Sequence, residues 1–220
     1  MSARPPAGAQ RADICRRVEE VGIVPVVRAP SPELAMRAAE AVLAGGISIF
    51  EITMTVPDAP AVIRALVQRL GNRAVVGAGT VLDAEAAHRC IEAGAAFIVS
   101  PGLDLGTIAA AHERGVPIMP GALTPTEVIT AWKAGADMVK IFPASSVGGP
   151  AHIRALRAVF PDVAFCPTGG VDAGNAPDYL AAGAAAVGIG GKLVDEGRIV
   201  AGDKQAILRA ARDALGLMQA

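Results

Sequence analysis

The sequence predicts an α/β fold, a (β/α)8 TIM barrel with an extra N-terminal helix, and three observations support this prediction. Short runs rich in Val and Ile alternate with Ala-rich amphipathic segments along the chain. Eight such runs recur about every 23 residues, the length that a strand, a three-turn helix and two loops require. The runs are predominantly apolar, as parallel strands covered by helices are.

The eight predicted strands are recognised by their β-branched residues and by the turn residues that bound them. They span residues 23–27, 47–52, 74–78, 97–100, 117–120, 138–142, 164–168 and 185–189. Residues 12–21 predict a helix that closes the bottom of the barrel, and residues 204–217 predict the last outer helix. An open doubly wound sheet is the main alternative. It is disfavoured because Arg28-Ala29-Pro30 follows the first strand where that fold has a GxGxxG turn.

The helices between the strands have recognisable ends. Ser31-Pro32-Glu33, Asp83-Ala84-Glu85 and Thr124-Pro125-Thr126-Glu127 each place a capping side chain before an acidic first turn. Several helices end at an Ala-Gly pair, where Gly provides the left-handed backbone of the helix terminus. Each of these helices therefore ends just before the next buried strand.

The composition limits the possible classes of function. Of the 220 residues, 52% are hydrophobic and 19% are charged, and the formal net charge is −1. This composition fits one domain with a large core, which we place at residues 11–220 after a flexible N-terminal arm at residues 1–10. No basic stripe indicates nucleic acid binding, and no apolar stretch is long enough to span a bilayer. We therefore expect neither nucleic acid nor membrane as a partner.

The cysteines and histidines do not form a recognisable metal site. Cys15, Cys90 and Cys166 are odd in number, far apart and outside any CxxC spacing. This pattern predicts a reducing, cytoplasmic location, no metal and no other cofactor. The three histidines fall in predicted helices or loops away from the strand ends, and we expect them at the surface.

Lys140 is the most informative residue, because it is the single charged residue in the apolar run 138–142. A buried ammonium group is costly unless it is paired or becomes neutral. A desolvated lysine can be an amine nucleophile that forms a Schiff base with a carbonyl. The alternative is a lysine in a structural ion pair, or one at the strand end that reaches solvent.

Three further side chains and one turn lie at predicted strand ends, where a barrel of this class has its active site. Glu51 is a carboxylate within an apolar strand, suited to general acid–base catalysis or to pairing with Arg28 or Lys140. Arg28 can bind a substrate carboxylate through two hydrogen bonds, unless it pairs with Glu51. The Thr80 hydroxyl can bind a substrate oxygen or cap a turn, and Ser100-Pro101-Gly102 shapes the mouth of the site.

Glycine pairs end the seventh and eighth predicted strands, in Thr168-Gly169-Gly170 and in Gly190-Gly191-Lys192. Barrels often hold phosphate groups at this place through loop amides and a helix N-terminus. The alternative is glycine required for tight packing, with Lys192 facing solvent. Neither string has P-loop or GxGxxG spacing.

Five strings in a fixed order carry a resemblance to a known family. They are EITMTVP at 51–57, GAGTVL at 77–82, IVSPG at 98–102, VKIFP at 139–143 and PTGG at 167–170. Together they resemble the 2-keto-3-deoxy-6-phosphogluconate (KDPG) aldolases, also described as 4-hydroxy-2-oxoglutarate aldolases. That family consists of class I aldolases on a (β/α)8 barrel, usually trimeric, so the resemblance implies a homotrimer.

The resemblance also implies roles for individual residues. Lys140 corresponds to the Schiff-base lysine and Glu51 to the general acid/base. The implied substrate-binding residues are Arg28, Thr80, Pro101, Phe142 and Thr168. The implied phosphate-binding residues are Gly169, Gly170, Gly190, Gly191 and Lys192.

Two positions differ from part of the family. Some members bind the substrate carboxylate with an Arg where this chain has Thr55, whereas others have an Arg that ends the first strand, as Arg28 does here. We therefore expect Arg28 to bind the carboxylate. Lys192 stands where some members have Ser, and its longer cationic side chain favours a phosphorylated substrate.

The implied reaction is the reversible cleavage of KDPG, a keto-deoxy sugar acid phosphate, to pyruvate and glyceraldehyde 3-phosphate, a step of the Entner–Doudoroff pathway. The same chemistry on 2-keto-3-deoxy-6-phosphogalactonate or 4-hydroxy-2-oxoglutarate is the alternative. Two other interpretations stay open from the residues alone. One is a sugar-phosphate epimerase or isomerase that uses Glu51 as a base, and the other is a sugar-phosphate binding protein without activity.

Overall fold

The computed structural model describes residues 8–218, in which strands alternate with helices. The helices are α1 Ala9–Val21, α2 Pro32–Ala44, α3 Ala59–Leu70, α4 Ala84–Glu92, α5 Leu105–Glu113, α6 Pro125–Lys133, α7 Pro150–Val159, α8 Ala176–Ala181, α9 Glu196–Val200 and α10 Lys204–Met218. The strands are β1 Ile23–Val27, β2 Ile49–Thr53, β3 Val75–Gly79, β4 Ile98–Val99, β5 Ile118–Met119, β6 Gly121–Ala122, β7 Val139–Ile141, β8 Phe165–Pro167 and β9 Val187–Ile189. Among the residues described, no helix is both long enough and apolar enough to cross a membrane.

The strands pair in parallel and form a curled sheet covered by helices. Six of them pair in the order β5-β4-β3-β2-β1-β9, and the other three pair in the order β6-β7-β8. An isolated parallel bridge between Thr168 and Gly188 connects the end of β8 to β9. The structure is therefore an α/β fold on a curled parallel sheet. This confirms the predicted α/β class.

The fifth predicted strand, residues 117–120, is observed only at residues 118–119, and a further strand that was not predicted, β6, begins just after Pro120. β5 precedes this proline and pairs with β4, whereas β6 follows it and pairs with β7. Pro120 has no N–H group to donate to a neighbouring strand. Its carbonyl still accepts a hydrogen bond from the Lys140 N–H at 3.0 Å. The other seven predicted strands each match one observed strand, with ends that differ by up to two residues.

The two faces of the strands pack into two apolar clusters. Phe50 and Ile52 belong to the larger cluster, which includes most of the residues that the helices bury. Ile49 belongs to the smaller cluster, together with Ile14 and Val18 of α1. Because side chains alternate along a strand, the two clusters lie on opposite faces of the curled sheet. Helix α1 thus packs against the face that the other helices leave uncovered.

Helix α1 begins at Ala9, so residues 9 and 10 of the expected arm are helical. Residues 1–7 of that arm lie outside the described residues. The Arg11 side chain in α1 donates to the Asp137 carboxylate at 2.9 Å, and His112 Nε2 of α5 lies 3.4 Å from the same carboxylate. His112 is therefore half-buried in an ion-pair network and is not an isolated surface residue.

The predicted helix caps are present. The Ser31 hydroxyl accepts from the backbone of the first turn of α2, and the Asp83 carboxylate does so for α4. Thr124 and Glu127 form a complete capping box at the start of α6. These local interactions confirm where the sequence placed three of the helix starts.

Candidate active site

A cleft of about 490 Å³ opens at the carboxyl ends of the strands. It is lined by all of the predicted site residues except Glu51, namely Arg28, Thr80, Pro101, Lys140, Phe142, Thr168, Gly169, Gly170, Gly190, Gly191 and Lys192. Val26 and Val171 also line it and were not predicted. Residues from distant parts of the sequence therefore converge on one cleft.

Another groove of about 500 Å³ lies beside α2 and α3 and contains none of the predicted residues. Its charged groups are engaged within the chain. Arg69 Nε lies 3.0 Å from the Glu40 carboxylate, and Arg73 donates to the carbonyls of Leu70 and Arg69. The groove lies away from the strand ends, so we place the candidate site in the first cleft.

Lys140 lies in β7, where its register partners are Gly121 of β6 and Cys166 of β8. The residue is only 6% exposed, and its Nζ lies 5.3 Å from the centroid of the Phe142 ring. That distance is within the range of a cation–π interaction. The amine is thus held among small and apolar groups at the base of the cleft.

Glu51 lies in β2 and is 1% exposed. Its Oε1 has no hydrogen-bond partner among the described residues. Burial raises the pKa of the Glu51 carboxyl above its ordinary value, although the positive charges of Lys140 and Arg28 lower it. A buried carboxyl with a raised pKa and an unused oxygen is suited to accepting and returning protons.

Three of the other predicted residues follow the strands directly. Arg28 comes after β1 and is exposed, and Thr80 comes after β3 and is half-buried. Pro101 comes after β4, and its carbonyl group lies against Gly121, where an added Cβ would fall 2.2 Å away. Arg28 ends the strand that pairs with β2, where Val26 is aligned with Glu51, and its positive charge lowers the pKa of the Glu51 carboxyl.

The two glycine turns lie at one side of the cleft. Gly169 and Gly170 have φ of +88° and +75°, which only glycine adopts readily. No backbone carbonyl within residues 8–218 accepts from the N–H groups of Gly170, Gly191 or Lys192. Together with the exposed Lys192 ammonium, these amides can hold an anion.

Cys166 is a neighbour of Lys140 that sequence reasoning did not assign to the site. It is the β8 partner of Lys140 and is 3% exposed. Burial raises the pKa of the Cys166 thiol to about 12, opposed by the charge of Lys140 and reinforced by that of Glu51. The thiol therefore stays protonated at neutral pH and is a compact, uncharged contact beside the amine. In the sequence, the feature that could have assigned Cys166 to the site is its position two residues before Thr168, a predicted site residue.

Thr53 is a second residue that the sequence analysis did not assign. Its position two residues after Glu51 places it on the same face of β2. It is fully buried, and its Oγ1 lies 2.6 Å from Oγ1 of Thr55, which is exposed. A pair of hydroxyls therefore lies at the end of β2.

Within the described part of the chain, no group of three or more His, Cys, Asp or Glu side chains is arranged to hold a metal ion. The fold and the cleft define the class of protein, an α/β enzyme with a small-molecule site at the carboxyl ends of parallel strands. Within that class, the chain belongs to the KDPG and KHG aldolase family, whose family model matches residues 14–210. The resemblance carried by the five sequence strings is thereby confirmed.

Two related proteins show how much of the chain this sequence similarity covers. The KHG/KDPG aldolase of Escherichia coli strain K12 is 37% identical over 193 residues, covering 88% of this chain and 90% of that protein. The 2-dehydro-3-deoxy-6-phosphogalactonate aldolase of the same strain is 36% identical over 197 residues, covering 88% and 96%. Proteins named for two different substrates are thus almost equally similar to this chain.

A solved structure agrees with these relatives. KDPG aldolase from Legionella pneumophila, with pyruvate captured at low pH as a covalent carbinolamine intermediate, matches this fold with a TM-score of 0.84 and 31% identity. The match covers 91% of this chain and 97% of that protein.

Proposed function

We propose that this protein is a class I aldolase that reversibly cleaves KDPG to pyruvate and glyceraldehyde 3-phosphate through a Schiff base on Lys140. One observation carries the proposal. A buried lysine in β7 lines the cleft, and a buried carboxylate in β2 lies close enough for the positive charge of that lysine to oppose the rise of the carboxyl pKa. Family membership supports the same chemistry.

The covalent step begins at the Lys140 amine. Its lone pair attacks the C2 ketone and forms a carbinolamine, which loses water to give a protonated imine. Glu51 supplies the proton that the departing hydroxyl needs. Because of its positive charge, the imine can accept an electron pair from the adjacent carbon.

Cleavage then takes place between C3 and C4. Glu51, directly or through water, removes the proton of the C4 hydroxyl, the C3–C4 bond breaks and glyceraldehyde 3-phosphate leaves. The electron pair of the broken bond moves into the imine and forms an enamine on Lys140. Glu51 returns its proton to C3, and hydrolysis of the imine releases pyruvate and the free amine.

The other lining residues orient the substrate. Arg28 binds the carboxylate at one end, and the amides of Gly170 and Gly191 with the Lys192 ammonium bind the phosphate at the other. The pyruvoyl portion lies between them. It contacts Thr80, Pro101, Phe142 and Thr168, and Gly169 and Gly190 shape the phosphate turns.

The same site fits related substrates. The galactonate epimer and 4-hydroxy-2-oxoglutarate have the same pyruvoyl end, and one of the two E. coli relatives is named for the galactonate compound. The two phosphorylated compounds are preferred over 4-hydroxy-2-oxoglutarate because the phosphate cradle includes the additional cation of Lys192, and of these two KDPG is the proposed substrate. Ratios of kcat/KM for the three compounds test this preference.

The proposal extends to the architecture and setting of the protein. We place one catalytic domain at residues 11–220, and helix α1 extends it back to Ala9. The Thr168–Gly188 bridge and the proximity of β5 and β6 around Pro120 support a closed (β/α)8 barrel with α1 at its bottom. A homotrimer in the cytoplasm, serving the Entner–Doudoroff pathway of carbohydrate metabolism, completes the proposal.

Borohydride trapping with pyruvate tests the central step. Intact mass and peptide mapping should show one reduced adduct, located on Lys140. Lys140→Met should abolish both adduct and turnover, whereas Lys133→Met, which changes an exposed lysine on α6, should retain both. A folded wild-type protein without an adduct would refute the proposal.

Two additional measurements separate the rival functions. An epimerase or isomerase would retain some turnover in Lys140→Met, and a binding protein would show no turnover in the wild type. Because the imine accepts the electron pair, EDTA should leave aldolase activity unchanged. Activity lost with EDTA and restored by a divalent cation would contradict the imine mechanism.

A further inference from the structure

The ring of Phe97 lies across Gly77 of the neighbouring strand. Phe97 immediately precedes β4, is fully buried and belongs to the smaller apolar cluster. A Cβ atom at position 77 would fall 2.2, 2.3 and 2.5 Å from three carbon atoms at the tip of the ring. Non-bonded carbon atoms favour separations of about 3.5–4.0 Å. The ring therefore occupies the space that a side chain at position 77 would fill.

This contact directs the ring toward β2. The Ala78 N–H of β3 donates to the Phe97 carbonyl at 2.9 Å, so Phe97 starts beside β3 and its ring extends over that strand. The β2–β3 register aligns Gly77 with Glu51 on the other side of β3. Ile49 precedes Glu51 by two residues and belongs to the same cluster as Phe97, so the ring and the carboxylate lie on the same face of the sheet.

The ring and the carboxylate occupy successive layers along β3. The carboxylate of Glu51 lies against Gly79, and the ring of Phe97 lies against Gly77, two residues nearer the amino end of the same strand. Glu51 is 1% exposed, and its Oε1 has no hydrogen-bond partner among the described residues. An apolar ring next to the carboxylate on its lower side accounts for this burial.

The charged groups that face Glu51 come from other strands. They are the ammonium of Lys140 in β7 and the guanidinium of Arg28 after β1, and both lower the pKa of the Glu51 carboxyl. The Cys166 thiol of β8 is the further titratable group that interacts with it. Burial has the largest influence on the pKa of Glu51 and raises it. A change at Phe97 alters this burial and leaves the charges in place.

We infer that Phe97 is a positioning residue for Glu51, because its ring forms the floor beneath the carboxylate and keeps water from reaching it from below. This inference rests on the proposed function, in which Glu51 transfers protons. Phe97 acts through Glu51 and not by contact with the substrate.

The first test is the pH dependence of kcat for KDPG cleavage. Glu51 removes a proton in this step, so kcat should fall as pH drops through the raised pKa of its carboxyl. Phe97→Leu removes the ring tip and admits water beneath the carboxylate. It should lower kcat about tenfold and move the midpoint of the fall to lower pH. Phe97→Met keeps a long apolar side chain at this position and should leave the midpoint close to that of wild type.

The matched control is Phe160→Leu, which shortens a buried phenylalanine at the end of α7, in the larger cluster. It should reduce stability without moving the midpoint of the pH profile. An unchanged midpoint in a folded Phe97→Leu variant, or an equal shift in Phe160→Leu, would overturn the inference.

A second measurement requires no turnover. Glu51→Gln should stabilise the protein increasingly as pH rises, because it removes a buried carboxylate that is costly to ionise. In the Phe97→Leu background the same substitution should give a smaller gain, since water then solvates the ionised group. Urea unfolding of wild type, the two single variants and the double variant measures both gains. Equal gains in the two backgrounds would contradict a floor made by Phe97.

Gly77→Ala tests the contact from β3. Its methyl group would meet the ring, so the variant should unfold at a lower urea concentration than wild type. Leucine lacks the ring tip, so Gly77→Ala combined with Phe97→Leu should lose less stability than the two single losses add up to. Strictly additive losses would show that the ring does not occupy this space, and the inference would fail.

Borohydride trapping of the wild type with pyruvate is measured alongside. Absence of any adduct refutes the proposed function. An adduct on Lys140 together with an unmoved midpoint in Phe97→Leu refutes the role of Phe97 alone, so the two failures are distinguishable.

Discussion

Gly79 of β3 lies directly against the carboxylate of Glu51 in β2. A Cβ atom at position 79 would fall 2.8 Å from the carboxylate carbon and both of its oxygens. Non-bonded carbon atoms favour separations of about 3.5–4.0 Å, so residue 79 must lack a side chain for Glu51 to occupy this position. The placement of the buried carboxylate thus depends on a glycine in the adjacent strand.

Gly79→Ala should therefore displace the Glu51 carboxylate and reduce kcat by about 100-fold while the protein stays folded. The reason is that the carboxylate would no longer reach the reacting hydroxyl. Steady-state kinetics and circular dichroism measure the two effects. Gly216→Ala is a matched control, since a Cβ there meets nothing within 4 Å. Unchanged kcat in Gly79→Ala would show that the position of Glu51 does not limit the reaction.

Glu51→Gln should inactivate the enzyme and yet stabilise it at neutral pH, on the order of 1 kcal/mol in the free energy of unfolding. The folded-state pKa of Glu51 is raised, so the folded protein binds a proton more tightly than the unfolded chain does. The wild type consequently loses stability as pH rises from the ordinary carboxyl pKa through the raised value. Urea unfolding across this range should show the difference between variant and wild type growing with pH.

The control for that measurement is Glu85→Gln, which changes an exposed carboxylate paired with Arg89. Its effect on unfolding should be small at every pH. A Glu51→Gln variant that is less stable than wild type at neutral pH would contradict the expected cost of the buried charge.

Asp137→Asn should destabilise the protein by about 3 kcal/mol at neutral pH, because it leaves the partly buried Arg11 without its carboxylate. Burial raises the pKa of Asp137, but hydrogen bonds from His112, the Ile118 N–H and Arg11 lower it below its ordinary value. A lowered folded-state pKa gives stability above the ordinary carboxyl pKa that is lost as pH falls through the lowered value. The stability gap to wild type should therefore narrow in acid.

Thermal unfolding at several pH values measures this gap. Asp13→Asn is the control, since it removes a carboxylate of an exposed pair with Arg16 and should cost little. If the difference in stability between Asp137→Asn and wild type stays constant from neutral to acid pH, the loss of stability is due to packing and not to the charge of Asp137.

Lys192→Ser should raise KM for KDPG about tenfold and leave KM for 4-hydroxy-2-oxoglutarate nearly unchanged. The ammonium is exposed at the glycine turn, where the proposed function places the phosphate group of KDPG. Lys133→Ser serves as the control because it removes an exposed lysine far from the cleft. Equal changes for both substrates would show that Lys192 shapes the pocket without binding phosphate.

Several features of the site could be predicted because they are local in sequence. A single lysine in an apolar run, a carboxylate in another and two glycine pairs at strand ends can each be recognised in isolation. Their convergence followed from the rule that parallel strands in a barrel bring their carboxyl ends together. The cleft lined by Arg28, Lys140 and Lys192 agrees with that rule.

Other features could not be predicted, because they depend on register and on contacts across the chain. The split at Pro120 arises because β5 and β6 pair with different strands. The closeness of Gly79 to Glu51 depends on the β2–β3 register. Cys166 became a neighbour of Lys140 only through the β7–β8 pairing.

By itself, the sequence determined the alternation of strands and helices and the helix caps, because apolar periodicity and capping act over a few residues, and it indicated the candidate reactive groups. The tertiary structure alone decided which groups meet. Arg11 and Asp137, 126 residues apart, join α1 to the start of β7. Lys140 and Cys166 became neighbours only because β7 pairs with β8. Such contacts depend on strand register, because a one-residue shift would turn each side chain of the strand to the opposite face. Only the packed fold fixes that register.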